Sequence, residues 1–223
     1  MALAIFDLDN TLLAGDSDHL WGEFLVEQGA VDAASYRDAN ERFYRDYQQG
    51  TLDIHAFLEF ALRPLAEHPP ERLAQWRKTF LAEKIDPIIL SAGRTLIADH
   101  RERGDLPMII TATNSFITAP IAERLGVEVL LATTPEQATG GRYTGRVSGI
   151  PTFREGKIKA LDAWLSNTAH DLQGSWFYSD SHNDIPLLER VSHPVAVDPD
   201  ADLKAHADRE GWRVISLRQA TPA

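Results

Sequence analysis

The stretch Ile5-Phe6-Asp7-Leu8-Asp9-Asn10-Thr11 sets two carboxylates on alternate residues directly after an apolar run. Ala2 to Phe6 reads as a short buried strand. Were the chain to stay extended, Asp7 and Asp9 would point to opposite sides. A pair of acids at the end of a buried first strand therefore raises the question of what both could face.

The texture on either side differs. From Asp16 to about Lys84 apolar residues recur at helical spacing, as at Leu20 and Phe24 and again at Phe57, Leu58, Ala61 and Leu62. Gly29, Gly50 and Pro69-Pro70 punctuate this block, which reads as roughly four helices. After Asp86-Pro87 strands and helices alternate. A helix carrying Leu90, Leu96 and Ile97 ends near Gly104, and a strand Met108–Thr111 follows. A helix from Ser115 to Leu125 is closed by Gly126. Val127 to Ala132 reads as a strand leading into a small Gly-rich β-hairpin at Gly140–Gly145. Lys157 to Leu165 is a further helix and Trp176–Tyr178 a strand ending at Ser179-Asp180. Val195–Val197 and Trp212–Ile215 are strands separated by a helix from about Asp200.

This alternation predicts an α/β fold, a Rossmann-like doubly wound parallel sheet with an inserted all-helical cap. The expected division is a discontinuous core of residues 1–14 and 86–223, with the cap at 15–85. Ligands of such sheets bind beyond the carboxyl ends of the strands. Asp7, Thr111 and Asp180 would all fall there.

Composition narrows the classes. The 223 residues are 43% hydrophobic and 25% charged, ordinary for a globular chain. With no cysteine, disulfides, thiolate metal sites and cysteine nucleophiles are excluded. No apolar run approaches the ~20 residues of a membrane span. The N-terminus lacks a basic start and meets Asp7 too soon for a signal peptide, so a cytoplasmic enzyme is expected. A formal net charge of −11 argues against nucleic acid or an anionic membrane as partner. A phosphorylated substrate would then need locally supplied positive charge.

Taken singly, each polar residue has a plain structural reading: carboxylates after strands form turns or cap helices, and Lys157 on a helix is ordinarily solvated. Their order is more telling. Asp7-x-Asp9-x-Thr11, then Thr111, then Lys157, then Ser179-Asp180-x-x-x-Asp184 each close a predicted strand or open the next element.

This series resembles the haloacid dehalogenase superfamily, most closely the branch of phosphoserine phosphatase-like and histidinol phosphatase-like enzymes with a C1-type helical cap after the first strand. The resemblance covers nearly the whole chain. It implies a phosphomonoester hydrolase (EC 3.1.3) in which Asp7 is the nucleophile, forming an aspartyl-phosphate, and Asp9 is the acid and base. The chain must then leave the strand after Asp7, so that both carboxylates converge on one phosphoryl group. Asp7, the backbone carbonyl of Asp9 and Asp180 would hold Mg²⁺, with Asp184 behind or acting through water. Thr111 would bond a phosphoryl oxygen and Lys157 neutralise charge beside Asp7. Thr11, Ala112 and Asn183 are candidate substrate contacts.

The sequence departs from the phosphoserine phosphatases in two loops. Thr111-Ala112-Thr113-Asn114 stands in place of Ser-Gly-Gly, and Ser179-Asp180-Ser181-His182-Asn183-Asp184 in place of Gly-Asp-Gly-x-Asn-Asp. Lys159 competes with Lys157; the arrangement of Lys157 with Leu161 four residues on favours Lys157. In the cap, Asp16 matches an acid that reads a substrate amine, or is simply a helix N-cap. Arg63 is the arginine nearest the family's carboxylate site, or a surface charge before Pro64. An acid without a matching arginine would favour an amino alcohol phosphate such as histidinol phosphate; both together would favour a phospho-amino acid. Trp21, Phe43, Tyr44 and Tyr47 are candidate pocket aromatics or helix core. The expected partner is a small phosphorylated metabolite, and the expected state a monomer or homodimer. A phosphotransferase or mutase, a sugar-phosphate or nucleotide phosphatase, and a binding protein without chemistry remain the alternatives.

Overall fold

The computed structural model describes residues 2–218; residues 219–223 of the expected core lie outside the described residues. The first strand, β1 (Leu3–Phe6), is wholly buried. It pairs in parallel with β2 (Leu106–Asn114) on one side and β5 (Trp176–Ser179) on the other. Beyond β2 lie β3 (Val129–Gln137) and the antiparallel β4 (Tyr143–Ser148); beyond β5 lie β6 (His193–Val197) and β7 (Arg213–Ile215).

A strand with neighbours on both sides must bury both faces, and β1 does so by alternation. Ala4 and Phe6 join one apolar cluster, Leu3 and Ile5 another. The second cluster is closed by Leu161 of α7 (Glu155–Ser166), Leu187 and Leu188 of the short α8 (Ile185–Leu188), and Leu203 and Ala207 of α9 (Ala201–Glu210). The first takes in the helices between β1 and β2. These are α1 (Ser17–Glu27), α2 (Ala33–Gln48), α3 (Ile54–Glu67) and α4 (Pro70–Phe80), followed by a π-helical turn at Leu81–Ile85 and then α5 (Ser91–Glu102). Trp21 packs on Phe24, Phe80 and Phe116, with ring centroids 5.1 to 5.6 Å apart. Phe116 belongs to α6 (Ser115–Leu125), so the aromatic cluster ties the inserted helices to the helix that follows β2.

The entry to the insertion and the return from it are zipped together. Ala14 N–H donates to the Ile88 carbonyl at 2.8 Å, and Leu90 N–H to the Leu12 carbonyl at 3.0 Å. Two linkers bonded to each other fix the base of the helical block against the sheet. Its far side rests on the hairpin, where Gly145, with φ +79°, lies against Leu62 and Ala66 of α3. The exposed edge at β4 is thereby covered.

The chain order reverses at β1, since β2 and β5 flank it. That reversal opens a crevice at the carboxyl ends of β1, β2 and β5. Strand β2 is longer than the sequence suggests. Its pairing with β3 shifts between Thr111 and Asn114, leaving Ala112 and Thr113 bulged. A bulge re-aims side chains at such a rim, and here it keeps the strand going past Thr111.

The start of α7 is equally tight. A Cβ on Gly156 would sit 1.9 Å from the Pro151 carbonyl oxygen. Gly156→Ala must therefore push that backbone apart, and urea denaturation should show a loss of about 2–3 kcal/mol. An unchanged midpoint would show that the turn has room to spare.

Candidate active site

Asp7 is the first residue past β1, and its N–H donates to the Tyr178 carbonyl of β5 at 2.9 Å. The chain then turns sharply: Leu12 and Leu13 N–H groups return to the Leu8 carbonyl, and Asn10 takes a positive φ of 58°. The turn answers the alternation problem, because Asp7 and Asp9 line one cavity.

Lys157, in the first turn of α7, reaches this cavity and is 4% exposed. Its Nζ donates to Asp7 Oδ1 and to Asp184 Oδ2, both at 2.7 Å. Lys159 is exposed to solvent. Asp184 Oδ2 also accepts from Ser179 Oγ at 2.7 Å. Thr11 does not line the cavity. Its hydroxyl is wholly buried, donates to Asp180 Oδ1 at 3.0 Å and accepts from Asp180 N–H at 3.1 Å. The expected substrate contact at Thr11 is thus replaced by a clasp between the turn after β1 and the loop after β5.

Asp9 is held by groups the sequence reading did not assign. Ser17 N–H donates to its Oδ1 at 2.6 Å and Thr113 Oγ1 to its Oδ2 at 2.8 Å, while Thr111 Oγ1 is 3.5 Å away. Thr113 shares a side of the extended chain with Thr111, so the alternation in Thr111-Ala112-Thr113 was its signal. Ala112 lines the cavity, and its carbonyl is taken by Thr133 Oγ1 at 2.8 Å. Asn183 lines it as well. Its Oδ1 accepts from Arg154 Nε at 2.9 Å, and Arg154 also bonds the Gly50 carbonyl at 2.5 Å. Arg154, with φ +50°, joins the inserted helices to the loop after β5.

Asp16 is the N-cap that its position suggested, and its side chain also faces the cavity. It accepts from Asp18 and His19 N–H at 3.0 and 2.8 Å. Phe43, Tyr44 and Tyr47 line the cavity too, whereas Trp21 is helix core. Arg63 is not brought to the site, a correction of its expected place. Its side chain is 59% exposed and pairs with Glu67 one turn along α3. The same geometry adds Asp18, His19, Asn40 and Phe57 to the lining.

The electrostatics follow from crowding acids into a dry crevice. Burial pushes the Asp7 carboxyl up to about 7, with Lys157 pulling the other way and Asp184 and Asp9 adding to the rise. Burial and Asp16 push Asp9 up to about 6 against the bonds from Ser17 and Thr113. Burial and Asp7 hold Asp180 well above the usual carboxylate range. Burial also opposes the charge on Lys157, yet Asp184 and Asp7 keep its pKa raised. One ammonium thus faces four carboxylates. Among the described residues no three His, Cys, Asp or Glu side chains form a ready-made metal cage. Asp7 and Asp180 with the Asp9 carbonyl instead offer two carboxylates and a neutral oxygen, the sparse donor set that Mg²⁺ completes with water and substrate oxygens.

Residues 4–189 match the haloacid dehalogenase-like hydrolases. The chain belongs to that family. It is 48% identical to the histidinol-phosphatase of Neisseria meningitidis serogroup C (strain 8013), over 97% of this chain and 99% of that one. It is 32% identical to phosphoserine phosphatase SerB1 of Mycobacterium tuberculosis (strain H37Rv), over all of this chain and 73% of that one. Among solved structures, a protein of unknown function from Bordetella pertussis Tohama I superposes with a TM-score of 0.90 at 44% identity, covering 97% of this chain and 98% of that one. A phosphoserine phosphatase captured as a phospho-aspartyl intermediate analogue shares the fold, with a TM-score of 0.71 at 18% identity over 98% and 94% of the two chains. With such relatives this member of the family is a phosphatase. Among the described residues no helix is long and apolar enough to cross a membrane.

The raised acids make a test of the crevice possible. A carboxyl whose pKa is raised in the folded state contributes stability that is full below the unfolded value of 3.8 and is lost as pH rises through the folded value, about 6 for Asp9 and about 7 for Asp7. The raised pKa of Lys157 stays far above this window, so its contribution is constant across it. Thermal melts in EDTA should therefore show a lower Tm at about pH 8 than at about pH 5, with Mg²⁺ narrowing the gap. A metal-free Tm that rises across that range would show that the acids are not crowded as described.

Proposed function

We propose that this chain is a Mg²⁺-dependent phosphomonoesterase acting in the cytoplasm on a small amino alcohol phosphate of the histidinol phosphate type. Residues 15–85 serve as the cap over a core of 1–14 and 86–223. The observation that carries the substrate reading is a cavity with Asp16 at its cap end and no arginine in its lining, Arg63 being turned to solvent. A phospho-amino acid would bring a carboxylate beside Asp16 and Asp18 with no arginine to pair it, which is costly when buried. An amino alcohol phosphate brings only an ammonium. The similarity to a histidinol-phosphatase over nearly the full length of both chains supports the same reading.

In the proposed reaction an Asp7 carboxylate oxygen attacks phosphorus in line, and the bond from phosphorus to the ester oxygen breaks. Asp9, its carboxyl pushed up to about 6 by burial and Asp16, gives its proton to the departing alkoxide. Asp9 then takes a proton from water, whose oxygen attacks the aspartyl-phosphate and frees inorganic phosphate and the Asp7 carboxylate. Ser17 N–H and Thr113 Oγ1 orient Asp9 for both transfers. Lys157 neutralises Asp7 as it approaches an anionic phosphate, and Thr111 and the Ala112–Thr113 backbone flank the phosphoryl oxygens. Asp7, Asp180 and the Asp9 carbonyl would hold Mg²⁺, with Asp184 supporting them through Lys157; bound there, the ion supplies positive charge to the phosphoryl oxygens.

Phosphate release should therefore favour histidinol phosphate over phosphoserine by about a hundredfold in kcat/KM, the size of an unpaired buried charge against a paired one. EDTA should abolish turnover, and Asp7→Asn should remove both turnover and any acid-stable phosphoenzyme. Preference for phosphoserine or sugar phosphates would overturn the substrate reading, and an active Asp7→Asn would overturn the nucleophile.

A further inference from the structure

Asp18 is the acid of the cavity that the reaction does not use. It sits in the first turn of α1, is 9% exposed, and lines the same cavity as Asp7 and Asp9. Every other buried carboxylate there has a protein partner: Asp7 and Asp184 have Lys157, and Asp9 has Ser17 and Thr113. Asp16 has the α1 backbone. The Asp18 carboxylate accepts no hydrogen bond from any described residue, and its pKa is driven well up by burial and then by Asp16 and Asp9. A buried, partnerless acid is destabilising unless something arrives to pair it.

Its place says what arrives. Asp16 precedes α1 and Asp18 lies within it, in a cavity whose wall also carries Asn40 and Phe43 of α2 and Phe57 of α3. Tyr36 packs against Phe60 and Phe60 against Phe43, both pairs tilted, and Phe43 meets Phe57 edge-on. Phe43 and Phe57 reach the cavity wall, so this wall offers flat apolar surface beside a carboxyl without a partner. An aromatic cation is the chemistry that satisfies both.

We propose that Asp18 binds a protonated or N–H-bearing ring at the end of the substrate remote from the phosphate, while Asp16 faces its amine. This rests on the phosphatase reading and narrows its substrate to one carrying a basic heterocycle beyond the amine. Histidinol phosphate has that ring; phosphoethanolamine has the amine and phosphate alone.

The test compares the two substrates. In Asp18→Asn the ratio of kcat/KM for histidinol phosphate to that for phosphoethanolamine should fall by about tenfold or more. In Asp16→Asn, whose group faces the part the two share, both should fall together. Calorimetry with L-histidinol, which needs no turnover, should show binding to the wild type and at least about tenfold weaker binding to Asp18→Asn. Ligand-free Asp18→Asn should melt no lower than the wild type, since it replaces a buried carboxyl that has no partner with a neutral group of the same shape. An unchanged substrate ratio, or a lowered ligand-free Tm, would return Asp18 to a structural role. Failure of the wild type to release phosphate from p-nitrophenyl phosphate would instead refute the phosphatase reading, and the calorimetric arm would still decide Asp18.

Discussion

One buried ammonium organises the crevice. Lys157 donates at 2.7 Å to both Asp7 and Asp184, which come from opposite ends of the chain. In a dry site two such carboxylates would repel each other, so the lysine is what lets β1 and the loop after β5 end side by side. Everything upstream of α7 serves to deliver that side chain. Gly156 presses against the Pro151 carbonyl, and Arg154 bends the backbone with a positive φ just before the helix begins. The ammonium also lies 5.8 Å from the Phe177 ring centroid, which supports it from the apolar side.

The inserted helices are attached at the same place. Their two linkers are bonded to each other at Ala14 to Ile88 and Leu90 to Leu12, within a few residues of Asp9. The first orphan N–H of α1, on Ser17, is spent on Asp9 itself, and the next two on Asp16. A helix N-terminus thus holds one acid of the proposed chemistry and one of proposed recognition in a fixed relation. On the opposite rim Arg154 ties Gly50 to Asn183. Small displacements of the insertion would reach both rims together.

What could be read from the sequence was whatever depends on local order. The alternation of strands and helices gave the sheet, because each element's period is its own. The spacing Asp7-x-Asp9, the Thr111 strand and Asp180-x-x-x-Asp184 marked residues that the structure brings to one crevice, since all lie at strand ends on one side of a parallel sheet. Lys157 was separable from Lys159 by its place in the first turn of α7, and the structure buries the one and exposes the other. Long-range choices were not legible. Arg63 looked suited to the cavity, but one helical turn away Glu67 offered a partner on the solvent side. Thr11 looked like a substrate contact, while its real partner, Asp180, is 169 residues further on. The alternation of Thr111 and Thr113 put both on one side of the strand, but the bulge beside them depends on the register with β3 and had no local sign. The short α8 was overlooked because its four residues carry too little periodicity.

The net charge of −11 then takes on a different meaning. A phosphatase that is acidic overall has to concentrate its positive charge, and the crevice does so at one end, with Lys157 and the oxygens suited to a divalent cation. The same cavity is also lined by Asp16 and Asp18, with no arginine among its described lining residues. Under the proposed function, a substrate anionic at one end and cationic at the other would be aligned by this arrangement before any contact is made, whereas a wholly anionic molecule would meet repulsion there. Repulsion of that kind needs no dedicated contact with the excluded molecules. Under that reading it would follow from Asp18 alone, since Asp16 is already bonded to the α1 backbone.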